Sequence, residues 1–92
     1  MSELKSQFTV TNSTGIHARP AAMLAGAASR FTADVRIRNG SDTGFEDGKS
    51  LMSWVTLGSD RGSVLTVLVS GPDAEAALDA ITALFESDFN GI

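Results

Sequence analysis

The stretch Gly15-Ile16-His17-Ala18-Arg19-Pro20, continued by Ala21 to Phe31 as AAMLAGAASRF, decides how this chain is organised. Within it Ala21, Leu24, Ala28 and Phe31 recur at spacings of three and four, the period of one face of a helix. Pro20 suits the first turn of such a helix, because its missing N–H would have had no intrahelical partner there. The spacing predicts a helix from about Ala18 to about Phe31. Upstream, Phe8, Val10 and Asn12 alternate with Thr9, Thr11 and Ser13, which predicts a strand with one buried face. Strand and helix meet across Gly15, so His17 falls at a loop-to-helix junction.

Downstream, Ala33 to Arg38 alternates again, with Val35 and Ile37 inward and the basic Arg36 and Arg38 outward. The following NGSDTGFEDGK carries three glycines and reads as turns with a short returning strand near Phe45. Ser50 then opens a helix of about two turns, with Leu51, Trp54 and Val55 on one side and Gly58 as its stop. Val64 to Ser70 is a strand that turns Leu65, Val67 and Val69 inward. Gly71-Pro72-Asp73 starts the last helix, with Pro72 expected in its first turn and Asp73 and Glu75 at its positive end. Ala74, Ala77, Leu78, Ile81, Leu84 and Phe85 form its apolar stripe. The predicted order is β-α-β-β-α-β-α. The fold class is α+β, a two-layer domain over residues 1–92 whose mostly antiparallel sheet is covered by helices on one face.

Composition excludes several classes of function. Ninety-two residues are enough for one core only. The absence of cysteine removes disulfide frameworks, thiolate metal sites and thiol nucleophiles, and a single histidine removes any site built on two imidazoles. Seven Lys and Arg against eleven Asp and Glu give a net charge of -4, which disfavours nucleic acid and anionic lipid as partners. Neither a membrane-length apolar run nor the pattern of a signal peptide is present, so a cytoplasmic protein without membrane insertion is expected. The acidic Asp42, Glu46 and Asp47 lack calcium-loop spacing and read as a solvated turn, with no metal.

Charge is uneven. His17, Arg19, Arg30, Arg36 and Arg38 precede residue 40, whereas most acidic residues follow it. Gly15 to Pro20 is also the one place that joins a nucleophile, a cation and a helix start. Free N–H groups and the helix dipole there favour an anion by about 0.3–1 kcal/mol. Charge-assisted bonds from Arg19 would add roughly 1.5–3 kcal/mol. These terms suit a phosphoryl group that arrives and leaves. Imidazole, with an ordinary pKa of about 6.5, is a competent nucleophile at neutral pH. The plainer reading is a histidine that merely caps the helix.

GIHARPAAMLAGAASRF resembles the phosphoryl-acceptor motif of HPr, the histidine-containing phosphocarrier family of the bacterial phosphoenolpyruvate-dependent phosphotransferase system. Lys49-Ser50-Leu51-Met52, continued by Val55-Thr56-Leu57-Gly58, resembles that family's regulatory-serine segment, and Gly71-Pro72-Asp73-Ala74-Glu75 the start of its last helix. The resemblance runs from about Phe8 to Phe85. It implies an open-faced β-sandwich of four strands with three helices on one side. His17 would be the phosphoryl acceptor through Nδ1, and Arg19, with Ala18, would hold the phosphoryl group. Ser50 would match a serine that HPr kinase/phosphorylase modifies in some bacteria. Ala18, Ala22, Leu51, Met52 and Val55 would dock partners, namely enzyme I as donor and enzyme IIA-type proteins as acceptors. The family needs no metal or cofactor, and the size suits a monomer that is phosphorylated stoichiometrically and is not itself an enzyme.

Trp54 is large for its place in the family's short helix, and the turn between Arg38 and Lys49 is longer than usual. VRIRN and the ending ALFESDFNGI resemble the nitrogen-related branch of the system. A regulatory interaction module that uses the same surface, with Ser50 as its switch, competes with the carrier reading. Ser50 reads equally as a plain N-cap worth roughly 1 kcal/mol. A third reading, a small ligand-binding domain, would bury Leu51, Met52 and Val55. Adjacent helical residues point about 100° apart, so at least one of Leu51 and Met52 is expected to stay exposed.

Overall fold

In the computed structural model, residues 2–40 and 44–91 are described. The strands are β1 (Ser2–Thr9), β2 (Asp34–Asn39), β3 (Glu46–Asp47) and β4 (Val64–Gly71), and the helices α1 (Ala18–Ser29), α2 (Leu51–Leu57) and α3 (Ala74–Glu86). The order is the one expected from the sequence. All strand pairs are antiparallel in the spatial order β1-β4-β2-β3. The helices cover one face. Asp42 lies outside the described residues.

The inward residues of β4, Leu65, Val67 and Val69, are fully buried beneath the helices, together with Val35 and Ile37 of β2. Because β4 is central, its opposite face is also shielded. Thr66 is buried there, and its Oγ1 accepts a bond of 3.4 Å from Gln7 Nε2 across the strand pair. The uncovered face carries the Arg36–Asp34 ion pair at 2.7 Å, which raises the Arg36 pKa first by the hydrogen bond and then by charge. As a solvated pair it contributes little to stability.

Several boundaries differ from the sequence reading. The first strand lies earlier than Asn12. Val10 follows the strand and remains buried, whereas the Asn12 carbonyl closes a turn by accepting from Gly15 N–H at 3.0 Å. Helix α1 stops at Ser29, where the N–H groups of Arg30 and Phe31 tighten onto Ala27 and Ala28 carbonyls at 3.3 Å. Glu46 and Asp47 form the returning strand against Ile37 and Arg36. Pro72 stands before the last helix, since Asp73 is the N-cap and α3 begins at Ala74. Leu51, expected inward, is exposed.

Trp54 explains its own size. It is fully buried, and its Nε1 donates to the Gly48 carbonyl at 2.7 Å, so the indole is both packed and satisfied. Helix α1 packs against α2 and buries Ala21, Ala25 and Ala28 beside a single leucine, Leu24, in the same core as the indole. Beyond α3 the chain makes one left-handed turn over Asp88–Gly91, with φ of 52°, 55° and 59° at Asp88, Phe89 and Asn90. Such angles cost about 1–2 kcal/mol per non-glycine residue, offset in part by burial of Phe89. Its ring meets Phe85 edge-on at 5.1 Å, and Phe85 in turn stacks on Phe8 at 4.4 Å.

Both ends of α1 are tied down. At its far end the Asp73 carboxylate accepts from Thr32 N–H (2.9 Å), Thr32 Oγ1 (3.0 Å) and Ala33 N–H (2.7 Å), and Lys49 Nζ donates to the Phe31 carbonyl at 2.9 Å. At its start Gly15 has φ of 70° and lies so close to the backbone of Gly58 and Ser59 that a Cβ would overlap the Ser59 carbonyl. The next residue, Ile16, is buried and donates its N–H to the Gly58 carbonyl at 2.6 Å. A Cβ on Gly58 would itself stand 2.7 Å from Ile16 Cδ1. The loop before α1 is therefore clamped to the end of α2.

Replacing Gly15 by alanine should cost more than about 1–2 kcal/mol from the left-handed angle alone, with the carbonyl overlap in addition. Denaturant titration followed by fluorescence of Trp54, the sole tryptophan, measures this. The backbone bond from Thr32, joined by those from Ala33 N–H and Thr32 Oγ1, holds the Asp73 carboxyl below its ordinary value against the opposing effect of partial burial. A lowered folded-state pKa adds stability that is complete above the unfolded value of about 4 and disappears as pH falls through the folded value. Asp73→Asn should thus lower Tm most near neutral pH, with the gap to wild type closing in acid.

Candidate functional site

The clamp at Gly58 buries Ile16 and leaves the next residue, His17, in solvent. His17 is the N-cap of α1, with extended angles of φ -86° and ψ -170°, and no side chain caps the helix. Its carbonyl already accepts from Ala21 N–H at 3.0 Å. Pro20 has no N–H to satisfy, so the backbone donors of Ala18 and Arg19 head the helix without a partner among the described residues. The positive end of the dipole and two free N–H groups converge beside an accessible imidazole.

Arg19 is exposed, and among the described residues its guanidinium meets no carboxylate within ion-pair distance. It is available to an incoming anion. Thr14, which the sequence reading passed over, places Oγ1 3.4 Å from His17 Nδ1. The spacing of three residues across the Gly15 turn was the available signal, and it is visible only once the turn is known to fold back.

Ala18 and Ala22 lie one helical turn apart and are exposed. On α2, Met52 is 61% exposed, Leu51 38% and Val55 half-buried, so both adjacent residues face solvent while Trp54 takes the core position. The two helices pack on each other, which brings these five residues onto neighbouring elements. The reading that buries Leu51 and Met52 fails on this geometry. Ser50 is the N-cap of α2, with φ of -96° and ψ of 125°, yet its hydroxyl makes no capping bond. Its N–H donates to the Asp47 carbonyl at 3.2 Å, and the Asp47 carboxylate holds Lys49 N–H at 2.9 Å.

Glu46 and Asp47 sit in β3, away from any third ligand, and no group of three His, Cys, Asp or Glu side chains gathers among the described residues. No helix there is long and apolar enough to cross a membrane.

Comparison with known proteins agrees with this arrangement. Residues 4–87 match the family model described as the PTS HPr component phosphorylation site. The chain is 45% identical over 80 residues to phosphocarrier protein HPr of Treponema pallidum, covering 87% of this chain and 89% of that protein. It is 39% identical over 90 residues to phosphocarrier protein NPr of Shewanella violacea, covering 98% and 97%. The crystal structure of HPr from Thermoanaerobacter tengcongensis superposes with a TM-score of 0.79 at 34% identity, covering 98% of this chain and 97% of that one. A strand-loop-helix junction presenting one histidine, on a sheet of order β1-β4-β2-β3, thus carries a family signature over most of its length, and the chain belongs to the HPr family of phosphotransferase-system phosphocarrier proteins.

Proposed function

We propose that His17 is the phosphoryl acceptor of this carrier, with enzyme I as donor and enzyme IIA-type proteins as acceptors, and that residues 1–92 act as one HPr-like domain. The observation that carries the reading is the exposed ring at the N-cap beside the unpaired N–H groups of Ala18 and Arg19. In the transfer, the Nδ1 lone pair attacks phosphorus as the bond to the donor breaks, and the donor atom leaves with the electron pair. The second transfer repeats the displacement with His17 as leaving group. With Nδ1 as the nucleophile, its lone pair would accept from Thr14 Oγ1, 3.4 Å away, and that bond would be released as phosphorus approaches. Arg19 and the two amides meet the equatorial oxygens, where charge is spread in the transition state. Neither metal nor cofactor is required. Both proteins must reach the ring in turn, and a solvent-facing junction on a rigid helix permits that.

Ser50 supports a second role for the same face. Its hydroxyl is uncommitted to capping and stands beside exposed Leu51 and Met52. Phosphate placed there by a kinase of the HPr kinase/phosphorylase type would add close to two negative charges at the edge of an apolar docking surface. Docking would weaken. Relatives named HPr and NPr both match nearly the whole chain, so similarity leaves the branch open between them. Enzyme I proteins of the two branches, compared as donors, decide this.

Incubation with phosphorylated enzyme I should give an acid-labile phosphate that is absent from His17→Ala. Arg19→Glu should stay folded and transfer roughly ten- to a hundredfold more slowly, as expected for one charge-assisted contact. Wild-type kinetics in that variant would remove Arg19 from the mechanism. Ser50→Asp should raise the KM of transfer while leaving Tm unchanged or higher. Mass spectrometry of Ser50 from cells on rich and poor carbon sources tests whether the switch is used.

A further inference from the structure

The sheet ends in two edges that are protected unequally. One, β3, is two residues long and acidic, Glu46 and Asp47, and a short charged edge turns further strands away. The other is β1, eight residues in unbroken register with β4 from Ser2 opposite Gly71 to Thr9 opposite Val64, without proline or bulge and with no strand on its far side among the described residues. It is the open edge. Val10 N–H donates toward β4, to the Ser63 carbonyl at 2.8 Å, and the alternation of an antiparallel ladder then turns the N–H and C=O groups of Glu3, Lys5, Gln7 and Thr9 outward, away from β4. Leu4 and Phe8, on the helix-covered side of the same strand, are only partly buried. Phe8 stacks at 4.4 Å on Phe85 of α3, the helix that packs on β1.

Such an edge accepts a strand whose outward groups match its own, and β1 matches itself. In an antiparallel pair of copies the outward groups face one another only when the twofold axis passes through a residue and not between two. An axis at Lys5 sets two ammonium groups opposite each other, which is destabilising. Among the rest, an axis at Ser6 uses the longest stretch, Glu3 to Thr9: Glu3 faces Thr9 and Lys5 faces Gln7, each twice, with no like charges directly opposite. On the helix side it sets Leu4 against Phe8 of the second copy, also twice, in the pairs whose side chains approach most closely. We propose that β1 is a homodimer interface, at which two copies join antiparallel about Ser6 and extend their four-stranded sheets into one. The contact leaves His17 and the exposed residues of α1 and α2 untouched, because none of them stands on β1 or α3. It is independent of the reading of His17. A seam this narrow is below the size of a permanent interface, so the dimer is weak and depends on concentration.

The chain contains no cysteine, so single cysteines report the register. With Ser6 on the axis, Ser6→Cys should form a disulfide-linked dimer under mild oxidation roughly tenfold faster than Thr9→Cys, an exposed position at the end of the same strand that faces Glu3 and not its own copy. Sedimentation equilibrium of the wild-type chain should show a reversible dimer at millimolar concentration. Lys5→Pro removes one outward N–H and none that serves β4, so it should stay folded and become monomeric. Ser6→Lys, which sets like charges opposite each other on the axis, should do the same, and it decides the matter if Lys5→Pro does not fold. The proposal is overturned by wild-type protein that is monomeric throughout that range, or by Ser6→Cys that cross-links no faster than Thr9→Cys. A dimer that persists in Ser6→Lys also overturns it, since association would then lie elsewhere on the molecule.

Discussion

The bond from Ile16 N–H to the Gly58 carbonyl, with Gly15 pressed against the backbone of Gly58 and Ser59, is the contact on which the site depends. It buries one residue and thereby frees the next. His17 can remain in water without the loop losing its shape, because the apolar anchor is its neighbour and not the ring. The same contact joins the start of α1 to the end of α2, the two helices that carry the exposed alanines, Leu51 and Met52. Only residues without side chains fit there.

Trp54 performs the corresponding task from within. A helix of about two turns offers little surface to a core, and here one fully buried indole, bonded to the Gly48 carbonyl, anchors it with Val55 and Leu57 packed partly beside it. With that anchor made, Leu51 and Met52 are left to face outward as apolar surface. They form a small apolar surface on the helix that packs against α1. At the far end of α1, Asp73 and Lys49 satisfy backbone groups that the helix leaves open, so α1 is held at both ends and moves as a unit.

Much of this was legible in the residue pattern. The period of the α1 stretch, the alternation in β4 and the glycines around β3 assign elements that the structure contains, and the motif around His17 marks a residue that the structure leaves exposed at a helix start. The errors have physical causes. Alternation through Phe8, Val10 and Asn12 gave the inward phase correctly but not the extent of β1, because past Thr9 the regular ladder with β4 gives way to bonds between Val10 and the turn residues Gly62 and Ser63. Leu51 seemed an inward residue on helical spacing alone, yet the core position had been filled by Trp54. Thr14 was silent because its nearness to Nδ1 arises from a reversal at Gly15. Asp88-Phe89-Asn90 carries no glycine to announce a left-handed turn, and the contacts of Phe89 that accompany it lie with residues elsewhere in the chain.

The sequence by itself therefore determined the class of fold and the order of elements and singled out the one histidine, since periodicity and residue chemistry are local properties of the chain. Tertiary structure alone decided which residues around that histidine are free. Whether Arg19 has a partner, which of Leu51, Trp54 and Val55 the core accepts, what Asp73 binds across the molecule and where the last turn seats its ring are outcomes of competition for a limited interior. Such competition is settled by packing between segments far apart in the chain, and no stretch of residues records it alone.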